Sequence, residues 1–287
     1  MVIPNLFRSL FTDGTNENEM LNQLCIQAYS SSLRCCGSLC KVQHDKLYNA
    51  THCKSKCAFT LAEVLITLVI IGVVAALTIP NLMQKYTEQA TVKKVQKFHS
   101  NLANAYMLAS KEYGPAGEWG LSNSETAIQK ESAEKIYNLL FKPYFKIAKD
   151  CGVNNIGHCI PDTRYKELSG NDAPGYLKVI YYKIALEDNA AVWWRSDSNP
   201  STIVVFYDTN GVKAPNQYGK DLFQFYITNE KIYPAGAPAY HGQSSFSNKC
   251  NLNSNGGSCA AWVVYKGNMD YLHCDGLTWE SRSCKEK

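Results

Sequence analysis

The sequence predicts an α+β protein: one long amino-terminal helix packed on an antiparallel β-sheet, with a carboxy-terminal region closed by disulfides. Three observations carry this. An unbroken apolar run from Phe59 to Ile79 passes directly into an apolar periodicity of three and four residues. Beyond it, short runs rich in Val, Ile, Tyr, Phe and Trp alternate with turn residues. The end of the chain places Cys250, Cys259, Cys274 and Cys284 among Gly, Asn and Ser.

The 287 residues divide unevenly. Residues 1–58 read as a leader, 59–112 as one long helix with 59–80 crossing a membrane, and 113–287 as a globular headpiece of ordinary domain size. The leader is longer than such segments usually are, so either a start codon assigned too far upstream or a leader with no structure of its own is expected. The net charge is +4 and is split nearly evenly between leader and remainder. With no basic stripe in the headpiece, the chain carries no strong nucleic-acid signal.

At about 1.5 Å per residue the apolar run spans roughly 31 Å, enough for one bilayer crossing. A cleaved secretory signal has a shorter apolar core with a small-residue junction after it. Here the only such junction beside Lys54 and Lys56 is Cys57-Ala58, before the run, so cutting there leaves the helix on the mature chain. A lipoprotein reading fails because Lys-Ser-Lys, not an apolar segment, precedes Cys57. A plain signal anchor accounts for the hydrophobicity and the preceding lysines. It does not account for Glu63, an acid inside a membrane segment, which costs about 2.5–3.5 kcal/mol on insertion scales.

Ala58-Phe59-Thr60-Leu61-Ala62-Glu63 resembles the cleavage and methylation motif of the type IV pilin and type II secretion pseudopilin superfamily. Cleavage after Ala58 makes Phe59 the new amino terminus and Glu63 its fifth residue. Gly72 and Pro80 also fall where such helices carry a glycine and a helix-loosening proline. Ala58 departs from the glycine that most members have. The resemblance implies a pilin-like fold and a bacterial inner-membrane protein of a single pass, with its headpiece periplasmic or extracellular. It implies processing by a prepilin peptidase and N-methylation of Phe59. It further implies assembly with like or related subunits through the helix, on an inner-membrane platform and in contact with membrane lipid. The amine made by cleavage would pair with Glu63 of a neighbouring subunit and set axial register.

The remaining elements follow in order. Leu82, Tyr86, Val92, Val95, Phe98, Leu102, Ala105 and Ala109 form an apolar stripe that would seat the helix on the headpiece. Pro80 would start or kink this second half, and Gly114-Pro115 would end it. Ser122-Asn-Ser-Glu125 has capping-box spacing before a second amphipathic helix with Ile128, Ile136, Leu139 and Leu140, running toward Pro143. Strands are expected over 176–186, 190–194, 202–207, 222–228 and 232–233, joined by short turns into an antiparallel meander. On an alternating strand, Trp193 and Trp194 face opposite ways, one into the core and the other toward solvent, a partner or an overlying loop.

Twelve cysteines divide at Ala58. Cys25, Cys35, Cys36, Cys40, Cys53 and Cys57 precede it, and Cys151, Cys159, Cys250, Cys259, Cys274 and Cys284 follow. An even set in an exported domain points to disulfides, with nearest-neighbour pairs 151–159, 250–259 and 274–284 favoured. Zinc is the rival, with His158 and His273 beside Cys159 and Cys274. The leader set, Cys35-Cys36-x3-Cys40 and His52-Cys53-x3-Cys57, is an alternative metal site in a reducing cytoplasm.

Asp208-Thr-Asn210-Gly211, with Asp221 downstream, imitates the front of a calcium loop without its terminal glutamate. Calcium at Asp208, Asn210 and Asp221 is therefore weighed against a plain Asn-Gly hairpin turn, and no other cofactor is expected. The chain has no phosphate loop, no HExxH and no nucleophile elbow, and His241, His273 and Asp275 sit beside no nucleophile motif, so the reading is of a non-enzyme. Two functions remain. One is a structural subunit of a type II secretion pseudopilus or type IV pilus-like fibre. The other is a minor pilin or fibre-tip binding module serving adhesion or DNA uptake.

Overall fold

In the computed structural model, which describes residues 59–122, 124–153, 159–174, 181–199, 201–240 and 246–285, the first element is a helix, α1, running without interruption from Leu61 to Tyr113. Its 53 residues extend about 80 Å. Pro80 lies inside it rather than at a boundary. Gly114 ends it with a φ of 75°, a backbone angle that glycine adopts without steric cost.

The apolar stripe seats α1 only from Thr91 onward. Val92, Val95, Phe98, Leu102, Ala105, Tyr106 and Ala109 are buried, whereas Leu82 and Tyr86 stand exposed. The periodicity therefore begins about two turns before the headpiece can cover it. A short 3-10 turn, Ala116–Trp119, then leads to α2, Thr126–Ile136.

The expected capping box at Ser122 does not form. The Ser122 hydroxyl pairs with Ser124, the Ser122 amide donates to Ser132 Oγ at 2.9 Å, and Glu125 occupies the cap position without a side-chain hydrogen bond. Past Ile136 the helix widens into a π-turn, Tyr137–Phe141, and ends in one last turn, Lys142–Tyr144, which contains Pro143. Ile136, Leu140 and Phe141 point inward, while Ile128 is exposed.

Six strands follow: β1 Ile147–Val153, β2 Tyr182–Leu186, β3 Ala191–Ser196, β4 Ile203–Asp208, β5 Leu222–Ile227 and β6 Ile232–Pro234. They pair antiparallel in chain order, β1-β2-β3-β4-β5-β6. This is the meander expected from the short connections, with one strand added. The sequence did not announce β1 because Lys149, Asp150 and Gly152 break any apolar alternation. It survives as an edge strand with register shifts at two places, a common way of blunting an edge. The expected strand residues 176–180 lie outside the described residues.

The inner face of the sheet meets α1. Phe98 stacks on Tyr207 with ring centroids 4.0 Å apart and leans edge-on to Phe225. Trp194 stacks on Phe141 at 3.9 Å and donates its indole N–H to the Ala133 carbonyl at 2.9 Å. The outer face has its own smaller core. Trp193 packs between Tyr165 and Phe206 beneath the loop that carries Ile160, Tyr165 and Ala173. Both tryptophans are thus fully buried, on opposite faces, with a loop over the outward one.

Two short helices complete the chain, α3 Phe246–Lys249 and α4 Ala260–Lys266, followed by a 3-10 turn at Asp270–Leu272. Gln96 on α1 donates to the Val264 carbonyl of α4 at 3.2 Å, and His273 Nε2 lies 2.9 Å from Glu88 of α1.

Candidate functional site

Phe59 is 81 % exposed at the head of the chain's described part. Ala58 and all six leader cysteines lie outside the described residues. Thr60, extended at φ −74° and ψ 148°, is the cap of α1. Its hydroxyl accepts from the Glu63 amide at 3.2 Å, and Glu63 Oε2 accepts from the Thr60 amide at 3.0 Å and from the Thr60 hydroxyl at 2.9 Å. Two of the helix's free amino-terminal donors are thereby satisfied reciprocally.

The signal for this box, Thr-x-x-Glu before an apolar run, stands in the motif itself. The sequence reading passed over it by treating Glu63 as an acid without a local partner. Within a lone subunit, Glu63 already has one. The reciprocal bonds use only the amides and side chains of Thr60 and Glu63, all of which persist when the bond before Phe59 is cut.

Above the cap, α1 is apolar on every side. An 18-residue window has a mean hydropathy of 2.6, and none of it is buried in the chain's own fold. Such a helix is long and apolar enough to cross a membrane. A side chain placed on Gly72 would meet nothing within 4 Å, so the glycine makes no close approach inside this chain. Thr67 and Thr78 return their hydroxyls to the Val64 and Val74 carbonyls, which leaves no free polar group on these two side chains. Pro80 supplies no N–H to the helix ladder two residues later.

The headpiece carries the second candidate site. Asp208 closes β4 and is fully buried, and Asp221 precedes β5 and is 3 % exposed. The segment between them is a long loop, not the two-residue hairpin turn that Asn210-Gly211 suggested. Asp208 Oδ1 accepts from the amides of Asn210 at 3.0 Å and Gly211 at 2.9 Å, while Oδ2 accepts from the Tyr165 hydroxyl at 2.7 Å. Asp221 accepts from the amides of Asn216 and Gln217 at 2.7 and 2.6 Å.

Burial, and then the nearby Asp221 charge, push the Asp208 carboxyl well above the usual carboxylate range. Burial raises Asp221 as well, against the pull of its backbone donors. The structure thus brings Asp208 and Asp221 together, with the Asn210 amide beside Asp221. Two oxygens here are buried without a hydrogen-bond partner, Asn210 Oδ1 and Asn216 Oδ1. Sequence reasoning missed Asn216 and Tyr165, because only the folded loop brings them to the two acids.

Cys151 is bridged to Cys159, Cys250 to Cys259 and Cys274 to Cys284. Bridged sulfurs have no thiolate to offer zinc, and His273 faces Glu88 instead. His158 and His241 lie outside the described residues.

An exposed apolar helix long enough to cross a membrane thus leads into a sheet headpiece. Residues 53–79 match the prokaryotic N-terminal methylation motif, the signature of type IV pilins and pseudopilins. The motif supports a type IV pilin-like protein, and it implies processing by prepilin peptidase and assembly with other pilin subunits. Residues 81–159 match a family of unknown function (DUF6613). No curated protein and no solved structure matches the chain.

Proposed function

We propose that the chain is a structural, non-enzymatic subunit of a type II secretion pseudopilus or a type IV pilus-like fibre. Residues 59–80 would hold it in the bacterial inner membrane with the headpiece on the periplasmic or extracellular side. Prepilin peptidase would cut after Ala58 and methylate Phe59. The observation that carries this reading is α1 from Leu61 to Pro80: an apolar surface left exposed by the chain's own fold, with one acid, Glu63, in its first turn. Lipid satisfies such a surface before assembly, and the helices of neighbouring subunits satisfy it afterwards.

Glu63 then has two successive partners. In the lone subunit it caps Thr60. In the fibre it meets the amine that cleavage creates on a neighbour, and it does so from a position that the cap has already fixed. The test is Glu63→Ala. The variant should insert and be cleaved, yet fibres should fall to background by electron microscopy. Normal fibre assembly by Glu63→Ala would falsify the proposal.

A second proposal concerns the loop between β4 and β5. Asp208, Asn210 and Asp221, joined by Asn216, would hold calcium. The two unpartnered amide oxygens beside two mutually repelling buried carboxylates favour it, since calcium takes six to eight oxygen ligands in flexible geometry. The ion would remove the repulsion and tie the loop to the end of β4. Millimolar calcium against a chelator should raise the melting temperature of the wild type and leave Asp221→Asn unmoved. An unchanged wild-type transition removes calcium from the account.

A further inference from the structure

Among the described residues, the outer face of the sheet is only partly covered. The loop bearing Tyr165 closes it over Trp193, but toward β5 it opens into a cleft of about 370 Å³, within the size range of small-ligand sites. Its floor is Phe206, Gln224 and Tyr226, and Tyr218 and Tyr240 stand at its sides. The walls are aromatic and partly rigid. Tyr226 and Tyr240 stack with centroids 4.6 Å apart at 18°, and Tyr240 also leans on Tyr233 at 5.3 Å. Gln224 Nε2 donates to the Tyr226 hydroxyl at 2.8 Å, which orients both groups.

The charges around the rim cancel. Arg195 and Lys249 stand against Glu167 and Asp197, and Arg195 Nη1 is fixed to Asp197 Oδ1 at 2.9 Å and to the Ser196 carbonyl at 3.0 Å. A phosphate or nucleotide site would keep an excess of positive charge. This one presents planar amides and a guanidinium–carboxylate pair beside aromatic faces. Such a set offers donors and acceptors in one plane for vicinal hydroxyls, with ring faces for the C–H side of a pyranose. The cleft also lies on the sheet face opposite α1, so a fibre built through α1 leaves it open.

We infer that this cleft binds a neutral saccharide. The inference deepens the fibre-subunit reading by giving the exposed face a ligand, and it rests on that reading only for its biological setting. The test uses full-length protein in a detergent without a sugar headgroup, with saturation-transfer NMR on maltotriose, cellotriose and chitotriose. At least one should receive saturation on its ring protons. That signal should drop about tenfold in Tyr226→Ala and in Tyr240→Ala, two variants whose melting curves are recorded alongside. Tyr240 sits in a loop and is half-buried, so its variant keeps the test valid should Tyr226→Ala unfold.

Three results would overturn the inference: no transfer to any of the three sugars, transfer unchanged in a folded Tyr240→Ala variant, or a stronger response to the acidic sialyllactose. None of these bears on assembly, which is read from fibres of Glu63→Ala.

Discussion

Upstream of Thr91, α1 leaves Leu65, Ile66, Leu68, Val69, Ile70 and Ile71 more than half exposed, whereas downstream Val95, Leu102 and Ala109 are fully covered. One continuous helix thus carries two kinds of apolar surface. The downstream half is a stripe, and the sheet and α4 consume it. From Leu61 to Pro80 the helix is instead apolar on every side, a pattern that water does not tolerate on an exposed helix. The difference teaches that Leu61 to Pro80 carries an apolar surface that the headpiece does not use, on a helix long enough to cross a membrane.

The sharpest way to break this comparison is a pair of matched truncations. Leu102→Ala should cost the headpiece about 2–5 kcal/mol, because it empties a fully covered site. Leu65→Ala should leave the headpiece transition in place in detergent. Thermal unfolding followed by near-ultraviolet dichroism separates the two, and equal losses would mean that the halves are not independent. Trp194→Ala belongs with Leu102→Ala at about 3–5 kcal/mol, with the added loss of its bond to the Ala133 carbonyl.

Removing a bridge comes next in size. Replacing both Cys274 and Cys284 by Ser should cost about 2–3 kcal/mol, as expected for a short closed loop. The transition should move down in the headpiece, and insertion of α1 should be unchanged in a membrane-flotation assay. A lost membrane fraction would show that the two regions depend on each other after all.

The effect that depends on pH is expected at Lys183 on β2. Its side chain is fully buried, donates to the Tyr181 carbonyl at 2.6 Å, and has its pKa lowered by burial from 10.5 to about 8. The unfolded chain therefore holds this proton more tightly than the folded one between about pH 8 and 10.5. Below that window the folded state carries the full cost of a buried charge, and the cost disappears as pH rises through it. Lys183→Met should melt higher than wild type at pH 7, and the gap should narrow by pH 9. A gap independent of pH would mean that the lysine is buried without penalty.

Much of the helix was legible in the chain. The apolar run, the stripe and Gly114-Pro115 locate α1 to within about two residues at each end, because local pattern and final burial agree there. The strand pattern was legible wherever both faces of the sheet are covered, as in β3 and β4. It failed at β1, where an edge position lets Lys149 and Asp150 stand in solvent and erases the alternation. The serines at 122–124 misled because hydroxyls so close in sequence satisfied one another before they could cap a helix.

The site was legible in its motif and not in its geometry. Glu63 stands out in the sequence as an acid, and its Thr-x-x-Glu spacing is the local signal of its bond to Thr60. The pairing of Asp208 with Asp221 and the orphaned oxygen of Asn216 depend on how the β4–β5 loop closes. The cleft at Gln224 and Tyr226 depends on a sheet face that the described residues leave partly uncovered. Neither has a local signature.

The sheet pairs its strands in the order in which they occur in the chain, and the three bridges close separations of only 8, 9 and 10 residues. From β2 onward each strand follows its partner closely, whereas β1 waits for β2 across the span from Val153 to Tyr182. A chain anchored by its amino-terminal helix and emerging gradually on the far side of a membrane would find the buried stripe of α1 already present as a template. Each new strand could dock beside the one just laid down, and each cysteine would meet its partner within moments of arrival. Low sequence separation of contacts favours rapid folding. The same order of emergence keeps the apolar inner face of the sheet from being displayed for long before it is covered.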